Sequence, residues 1–134
     1  MGLSYWKGQP LTVDAIFSYE GSWFPILAAI EHENDWRGFE SEVMKLLSVR
    51  CPLKVGITYA ADRNLEACCE RVTKNLQGDL DDAKSSVGED PVTQYLLLIG
   101  GESEGEDISC WYSLDFRAGE LGSKYNFRKL KAKS

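Results

Sequence analysis

Three acidic residues near the start of the chain could share one site. Asp14 lies in an otherwise apolar segment, and Glu31 and Glu33 follow a nearly uninterrupted apolar run. Aspartate is disfavoured inside strands, so its place between Val13 and Ala15 needs a reason. Carboxylates held about 5–8 Å apart repel one another, and protonation or a bound cation relieves that repulsion. The three acids therefore predict a cation site.

The acids are predicted to lie on a β-hairpin. β-Branched and aromatic residues predict strands over residues 11–19 and 23–33. Gly21 and Ser22 between them suit a two-residue loop that begins with glycine. The loop fixes the strand register, and the register decides which side chains share a face.

That register gathers the acids on one face of the hairpin. Asp14 lies opposite Ala29, Glu31 lies diagonally beside it, and Glu33 follows two residues later. The other face is expected to pack on the core, and its residues are Val13, Ala15, Phe17, Tyr19, Phe24, Ile26, Ala28 and Ile30. A slip of one residue would separate Asp14 from both glutamates.

Magnesium is the cation that this arrangement favours, with manganese as a substitute. Mg²⁺ takes one or two carboxylates and keeps several of its waters. Ala29 opposite Asp14 is small and leaves room for the ion and those waters. A metal ion held in this way polarises a phosphoryl oxygen and lowers the pKa of a bound water, which is the chemistry of metal-assisted phosphodiester hydrolysis.

The rest of the chain predicts alternating helices and strands. Asp35 is expected to cap a helix over residues 36–49, and a second helix is expected over residues 62–76. The polar residues 78–90 either extend that helix or form a loop. Further strands are predicted over residues 53–59, 92–100 and 108–116. The order β-β-α-β-α-β-β is that of an α/β domain with a mixed sheet and helices on at least one face.

Composition limits the class of protein. With 134 residues, 43% hydrophobic and 27% charged, residues 1–134 are expected to form a single folded domain. No apolar run is long enough to span a bilayer and the start carries no secretory signal, so a cytoplasmic protein without membrane contact is expected. The cysteines match no metal-binding motif and are expected to be reduced and mostly buried: Cys51, Cys68, Cys69 and Cys110.

Charge is distributed unevenly along the chain. The net charge is −6, yet the tail over residues 124–134 holds five basic residues and no acid. The acidic body argues against a protein that simply coats nucleic acid, and is compatible with carboxylates that gather metal ions. The basic tail could contact phosphate, but a solvated, frayed end is the favoured interpretation.

The acids and their surroundings resemble the PD-(D/E)XK nuclease, or restriction-endonuclease-like, superfamily. The resemblance covers about residues 11–60: Asp14, then Glu31-His32-Glu33 at the end of an apolar strand, then a helix and an apolar strand. It implies a restriction-endonuclease-like mixed central sheet flanked by helices. It also implies that Asp14 and Glu31 bind the metal, with the backbone carbonyl of His32 completing the ligand set.

The chain departs from the pattern of this superfamily at three points. Val13 replaces the usual proline before the aspartate. Glu33 stands where lysine is usual and would help to bind or activate the attacking water, while Lys45 on the following helix would supply the missing positive charge. The superfamily usually begins with a helix, whereas the segment before residue 11 has room only for a short strand over Leu3–Lys7. A partner subunit could supply that helix, or this is a trimmed member.

Three interpretations of function remain open. The first is a magnesium-dependent nuclease that acts on DNA rather than RNA through Asp14, Glu31 and Glu33, with Lys45, and that dimerises to cut both strands. The second is a catalytically inactive relative that serves as a protein-interaction or assembly module, as the acidic body and Glu33 suggest. The third is a small α/β domain unrelated to nucleases, with a solvated acidic edge.

Overall fold

A seven-stranded mixed sheet with two helices on one face forms the computed structural model of the chain. The structure describes residues 3–7, 13–21, 25–47, 49–87, 92–103, 107–118 and 126–131. The elements are β1 (Leu3–Lys7), β2 (Ala15–Tyr19), β3 (Ile26–Glu33), α1 (Phe39–Leu46), β4 (Leu53–Ala61), α2 (Leu65–Val87), β5 (Gln94–Glu102), β6 (Ile108–Arg117) and β7 (Arg128–Lys129). Short 3-10 turns, Trp36–Gly38 and Asp62–Asn64, lead into the helices.

The strands lie in the sheet in the order in which they occur along the chain. β1, β2 and β3 are antiparallel neighbours, β3, β4 and β5 are parallel, and β6 and β7 continue the sheet with antiparallel pairing. Parallel neighbours need a crossover connection, and the two helices form the two crossovers. The predicted α/β class with a mixed sheet is confirmed, and β1 and β7 extend the predicted order at its edges.

The helices differ in length from their predicted spans. Asp35 caps the first one as expected, because its Oδ1 accepts a hydrogen bond from the backbone N–H of Arg37 at 3.0 Å. That helix ends at Leu46, before the predicted residue 49. The polar stretch after Leu76 extends α2 to Val87, so the helical alternative is the one that forms. Neither helix in the described chain combines the length and the apolar character needed to cross a bilayer.

The main core lies between the two helices and the sheet. α1 packs mainly over β3 and β4, and α2 packs over β4 and β5. The principal members of this core are Phe39, Val43, Leu65, Val72, Tyr95, Leu97, Ile99, Leu114 and Phe116. Gly56 on β4 lets α1 approach, since a Cβ at this position would lie 3.0 Å from the Phe39 ring. The expected burial of the cysteines holds for Cys51, Cys68 and Cys69, while Cys110 is half-buried.

The acidic face of the β2–β3 hairpin is the face that α1 covers, which corrects the prediction. Ile16 and Ala29, on the face of Asp14, are buried against Leu46 of α1 in a second cluster. Of the described residues predicted to form the core, Phe17, Ala28 and Ile30 are only half-buried. The others are buried, two of them in the cluster with Leu46: Val13, Ala15 and Ile26. Both faces of the hairpin carry apolar side chains, so alternation alone did not decide which face the helix would cover.

Candidate functional site

The pairing of β2 with β3 brings Asp14 next to Glu31. Ala15 pairs with Ile30, so the preceding residue, Asp14, aligns with Glu31 and not with the predicted Ala29. The predicted register is thus wrong by two residues, and the pairing also contains an irregularity further along β2. A shift of two residues preserves the faces, so the two acids still share one face.

The turn between these strands lies partly outside the described residues. Gly21 has a φ of 79°, a conformation that favours glycine in a tight turn. Residues 22–24, which include the second residue of the predicted loop, are not among those described. The register beside the acids is therefore established by the strand pairing and not by the turn.

Asp14 forms the exposed edge of the site. Its Oδ2 accepts a hydrogen bond from the backbone N–H of His32 at 2.6 Å, which ties the start of β2 to the end of β3. The side chain of Asp14 is exposed to solvent. A carboxylate that is both accessible and fixed in position is suited to receive a ligand from solution.

Glu31 is buried completely, and no N–H or hydroxyl of the described residues donates to its carboxyl oxygens. Burial first, then a hydrogen bond shared with the carboxyl of Glu42, then the charge of Asp14, raises the pKa of Glu31 to about 8. At neutral pH the Glu31 carboxyl is therefore mainly protonated and donates to the carboxylate of Glu42. Buried acids that share a proton in this way are costly, and they concentrate where a ligand or a reaction requires them.

Helix α1 brings a second acid and a cation to Glu31. The Nζ of Lys45 donates to both carboxylate oxygens of Glu42, at 3.0 and 2.9 Å. The carboxyl of Glu31 and the ammonium of Lys45 both lower the pKa of Glu42. The pKa of Lys45 is raised by Glu42 first, and the charges of Glu31 and Asp14 act in the same direction. The four side chains thus form one electrostatic cluster.

Glu33 is engaged by the turn that leads into α1. Its Oε1 accepts a hydrogen bond from the backbone N–H of Asp35 at 3.0 Å. Its carboxyl also lies against Gly38, where a Cβ would come within 3.3 Å of Oε2. The structure therefore brings Glu42, and not Glu33, to the position beside Glu31, while Glu33 orders the entry to the helix.

The backbone and the ring of His32 make separate contacts. Its N–H binds Asp14, whereas its Nε2 lies 3.0 Å from the Oη of Tyr59. The ring is exposed on the face of the sheet opposite the helices. The backbone carbonyl of His32, expected as a metal ligand from the resemblance, stays a prediction.

In this cluster a metal ion would have only two carboxylate ligands from the protein. Among the described residues, no three acid, histidine or cysteine side chains are arranged to hold one ion. The predicted nest of three acids is not formed, because Glu33 is bound to the turn. Mg²⁺ needs only one or two carboxylates with its own waters, and the carboxyl oxygens of Glu31 beside Asp14 are the hard donors that it prefers.

Glu42 is the one member of the cluster that sequence reasoning missed. It precedes Lys45 by three residues on the helix that follows the acidic strand, so the two side chains lie on the same flank of that helix. An acid and a lysine at this spacing, beside an apolar stripe, are the signal that could have identified it.

Comparisons with known proteins found no match. No protein family model, no curated protein and no solved structure matches the chain. The relation to the PD-(D/E)XK superfamily therefore stays a prediction made from the residues themselves.

Proposed function

We propose that the chain is a metal-dependent nuclease that hydrolyses phosphodiester bonds at the cluster of Asp14, Glu31, Glu42 and Lys45. The observation that carries the proposal is Glu31, whose fully buried carboxyl receives no hydrogen bond from an N–H or hydroxyl of the described residues and lies next to two more acids and a lysine. Its hydrogen bond to Glu42 of α1 pairs it with a second acid, and an apolar side chain would avoid the cost of burying it. Groups perturbed in this way are typical of functional sites.

The place of the cluster in the fold supports the proposal. Glu31 lies near the carboxyl end of β3, next to the parallel strand β4. Open sheets with parallel strands tend to bind ligands at these ends. The finer parts of the proposal come from the sequence resemblance: a restriction-endonuclease-like strand order, DNA in preference to RNA, a homodimer for cutting both strands, and a cytoplasmic location.

Each side chain has a role in the proposed reaction. Asp14 and Glu31 would hold Mg²⁺ or Mn²⁺, which when bound polarises a phosphoryl oxygen and acidifies a water. Glu42, held as a carboxylate by its ion pair with Lys45, would accept a proton from the attacking water, the role predicted for Glu33. Lys45, which is exposed, would offer its positive charge to the phosphate.

The direct test is cleavage of plasmid and of single-stranded DNA with Mg²⁺ or Mn²⁺. Glu31→Gln keeps the shape of the side chain but can no longer lose a proton to bind the metal as a carboxylate, so we expect cleavage to fall by at least about 100-fold. Glu70→Gln, which alters an exposed acid on α2, is the matched control and should cleave like the wild type. Cleavage that survives Glu31→Gln would assign the activity to another site or to a contaminant.

The complete burial of Glu31 favours a second candidate, the catalytically inactive interaction module. A carboxyl with no exposed surface receives an ion only if α1 moves aside. Calorimetric titration of the folded chain with Mg²⁺ and Mn²⁺ distinguishes the two candidates. Heat of binding that disappears in Asp14→Asn supports the nuclease, whereas no binding together with no cleavage leaves the interaction module.

A further inference from the structure

The sheet face opposite the helices presents apolar side chains that are only half-buried. Both helices pack on the other face, so no helix in the described part of the chain covers this one. We call this surface the open face. Its principal apolar side chains, which come from strands β2–β6, are Phe17, Ile30, Ile57, Tyr59, Leu98 and Trp111. Parallel strands are usually covered on both faces, and a bare apolar face of this kind is typical of an interface.

Two consecutive glycines of β5 show which residues belong to the open face. A Cβ at Gly100 would lie 2.9 Å from the ring of Tyr59 and 3.1 Å from the ring of Trp111. A Cβ at Gly101 would instead meet Leu65 of α2 at 2.8 Å. Because side chains alternate along a strand, the even-numbered positions of β5 lie on the open face. Glycine at position 100 lets the two rings approach each other, with centroids 5.8 Å apart, so the surface is continuous across β5.

Charged side chains lie at the ends of the open face and not at its centre. On the parallel strands β3, β4 and β5, Glu102 at the end of β5 is the one Asp, Glu, Lys or Arg residue on this face. Arg117 lies at the opposite end, where it pairs with Gln94 at the start of β5. Asp115 is already bound to Arg128, at 3.0 Å. Neither Glu102 nor Arg117 takes part in an ion pair among the described residues.

The open face is large enough to form a stable interface. Strands β2–β6 lie about 4.8 Å apart and average about eight residues, each rising about 3.3 Å, so the face measures roughly 650 Å². Two copies packed on this face would together bury roughly 1,300 Å², which lies within the range of specific protein–protein interfaces. Two sheets that pack in this way lie about 10 Å apart, with their apolar side chains between them.

We propose that a second copy of the chain packs on the open face, sheet against sheet, with the strands of the two copies antiparallel. A two-fold axis then crosses the strands near Leu98, the middle residue of β5. This symmetry places Arg117 of each copy over Glu102 of the partner subunit. The two ends of the face carry opposite charges, so the surface is complementary to itself in this orientation and not with the strands parallel.

The net charge favours this surface for self-association over the rest of the molecule. The chain carries a net charge of −6, so two copies repel each other over most of their surfaces. The centre of the open face has apolar area and no charge, and homodimer interfaces are more apolar than the rest of a protein surface. Because the carboxylate cluster lies on the other face, this inference does not rest on the proposed nuclease activity. It gives the homodimer expected from the sequence resemblance a defined interface.

Sedimentation of the full chain over a wide range of concentrations, without metal or nucleic acid, tests the proposal. We expect the wild type to approach twice the mass of one chain as its concentration rises. Leu98→Glu places two like charges near the two-fold axis, so it should raise the Kd of the dimer at least about 100-fold. Ala67→Glu adds the same charge at an exposed position on α2 and is the matched control, with the Kd of the wild type.

Reversing the charges at the two ends of the open face tests the antiparallel orientation. Arg117→Glu alone and Glu102→Arg alone should each raise the Kd about tenfold or more, because each change puts like charges together at two symmetric positions. The variant with both changes should return close to the Kd of the wild type, since the ion pairs form again with their signs exchanged. Arg63→Glu, on the turn before α2, is the control for the change of net charge and should dimerise like the wild type.

The outcomes separate this proposal from the nuclease proposal, because no step of the measurement uses metal or substrate. A wild type that stays monomeric at every concentration overturns it, as does a folded Leu98→Glu that dimerises like the wild type. If circular dichroism shows that Leu98→Glu does not fold, the exposed change Arg117→Glu and its rescue by Glu102→Arg decide the question. A dimer that Leu98→Glu abolishes, and that the double charge reversal restores from either single change, supports the interface whether or not the protein cleaves DNA.

Discussion

Glu31 and His32 are consecutive residues of β3, yet they experience opposite environments. The carboxyl of Glu31 lies under α1 with no exposed surface and contacts the acid Glu42, whereas the ring of His32 is exposed beside Tyr59. Because side chains alternate along a strand, one helix on one face is enough to produce this contrast. On the covered face, burial changes how a group titrates. On the open face, the same sheet offers flat surface for contact.

The contrast explains why the two faces suit different tasks. A carboxyl withdrawn from water binds a proton or a cation more strongly, which is useful for chemistry and costly for stability. Aromatic rings on an open face cost little and can exchange water for a ligand surface. The variants below test whether the two faces behave in these different ways.

The largest expected effect is on the pH dependence of stability through Glu31. The pKa of Glu31 is about 8 in the folded chain and 4.5 in its ordinary state. The folded protein therefore binds the proton more tightly, so this contribution to stability is fully present below pH 4.5 and is lost as the pH rises through 8. The loss amounts to about 3–5 kcal/mol of the free energy of unfolding.

Glu31→Met should remove that loss. We expect its free energy of unfolding to exceed that of the wild type at pH 9 and to differ much less at pH 5, as measured by urea denaturation at the two values. Glu66→Gln, at an exposed position on α2, is the control and should follow the wild type. Equal pH profiles for wild type and Glu31→Met would mean that the carboxyl is not withdrawn from water.

Alanine substitutions at two glycines, one facing the helices and one facing the opposite side of the sheet, compare how tightly the two faces are packed. A Cβ at Gly56 would meet the rigidly buried ring of Phe39 at 3.0 Å, whereas one at Gly100 would meet the half-buried rings of Tyr59 and Trp111. We expect Gly56→Ala to lower the free energy of unfolding by about 1–3 kcal/mol, because the core has no room to yield. Gly100→Ala should cost less, since its neighbours can swing toward solvent.

Denaturation curves of the two alanine variants, measured side by side, give this comparison. A larger loss of stability in Gly100→Ala than in Gly56→Ala would show that the open face is packed as tightly as the core.

The sequence predicted the elements better than it predicted their faces. Turn residues and apolar periodicity identified both helices, the five central strands and the cap at Asp35, because these signals are local. Strand β7 was missed, because it lies in a basic tail that was expected to be frayed. The shared face of Asp14 and Glu31 also followed from alternation. Which face α1 would cover depends on contacts distant in the sequence, and a hairpin that is apolar on both sides carries no such information.

The candidate site was predicted in part for the same reason. Asp14, Glu31 and Lys45 were identified from their types and positions. The third acid of the cluster was predicted to be Glu33 but is Glu42, and this difference depends on how the chain leaves β3. Glu33 is drawn away by the N–H of Asp35, a contact two residues along the chain. Glu42 approaches only because the helix folds back over the strand. The contacts among His32, Tyr59 and Trp111 likewise depend on the pairing of four strands. Residues so distant in the sequence form no local motif that could predict them.

The smallest expected effect concerns the hydrogen bond between Tyr59 and His32 on the face opposite the helices. Tyr59→Phe removes the Oη that lies 3.0 Å from the Nε2 of His32 and keeps the ring. Because this contact is exposed to water, we expect the free energy of unfolding to fall by less than about 1 kcal/mol. Tyr59→Leu, which also removes the ring contacts with His32 and Trp111, should cost more. Urea denaturation of the two variants measures the difference, and equal losses would show that the ring contributes nothing beyond its hydroxyl.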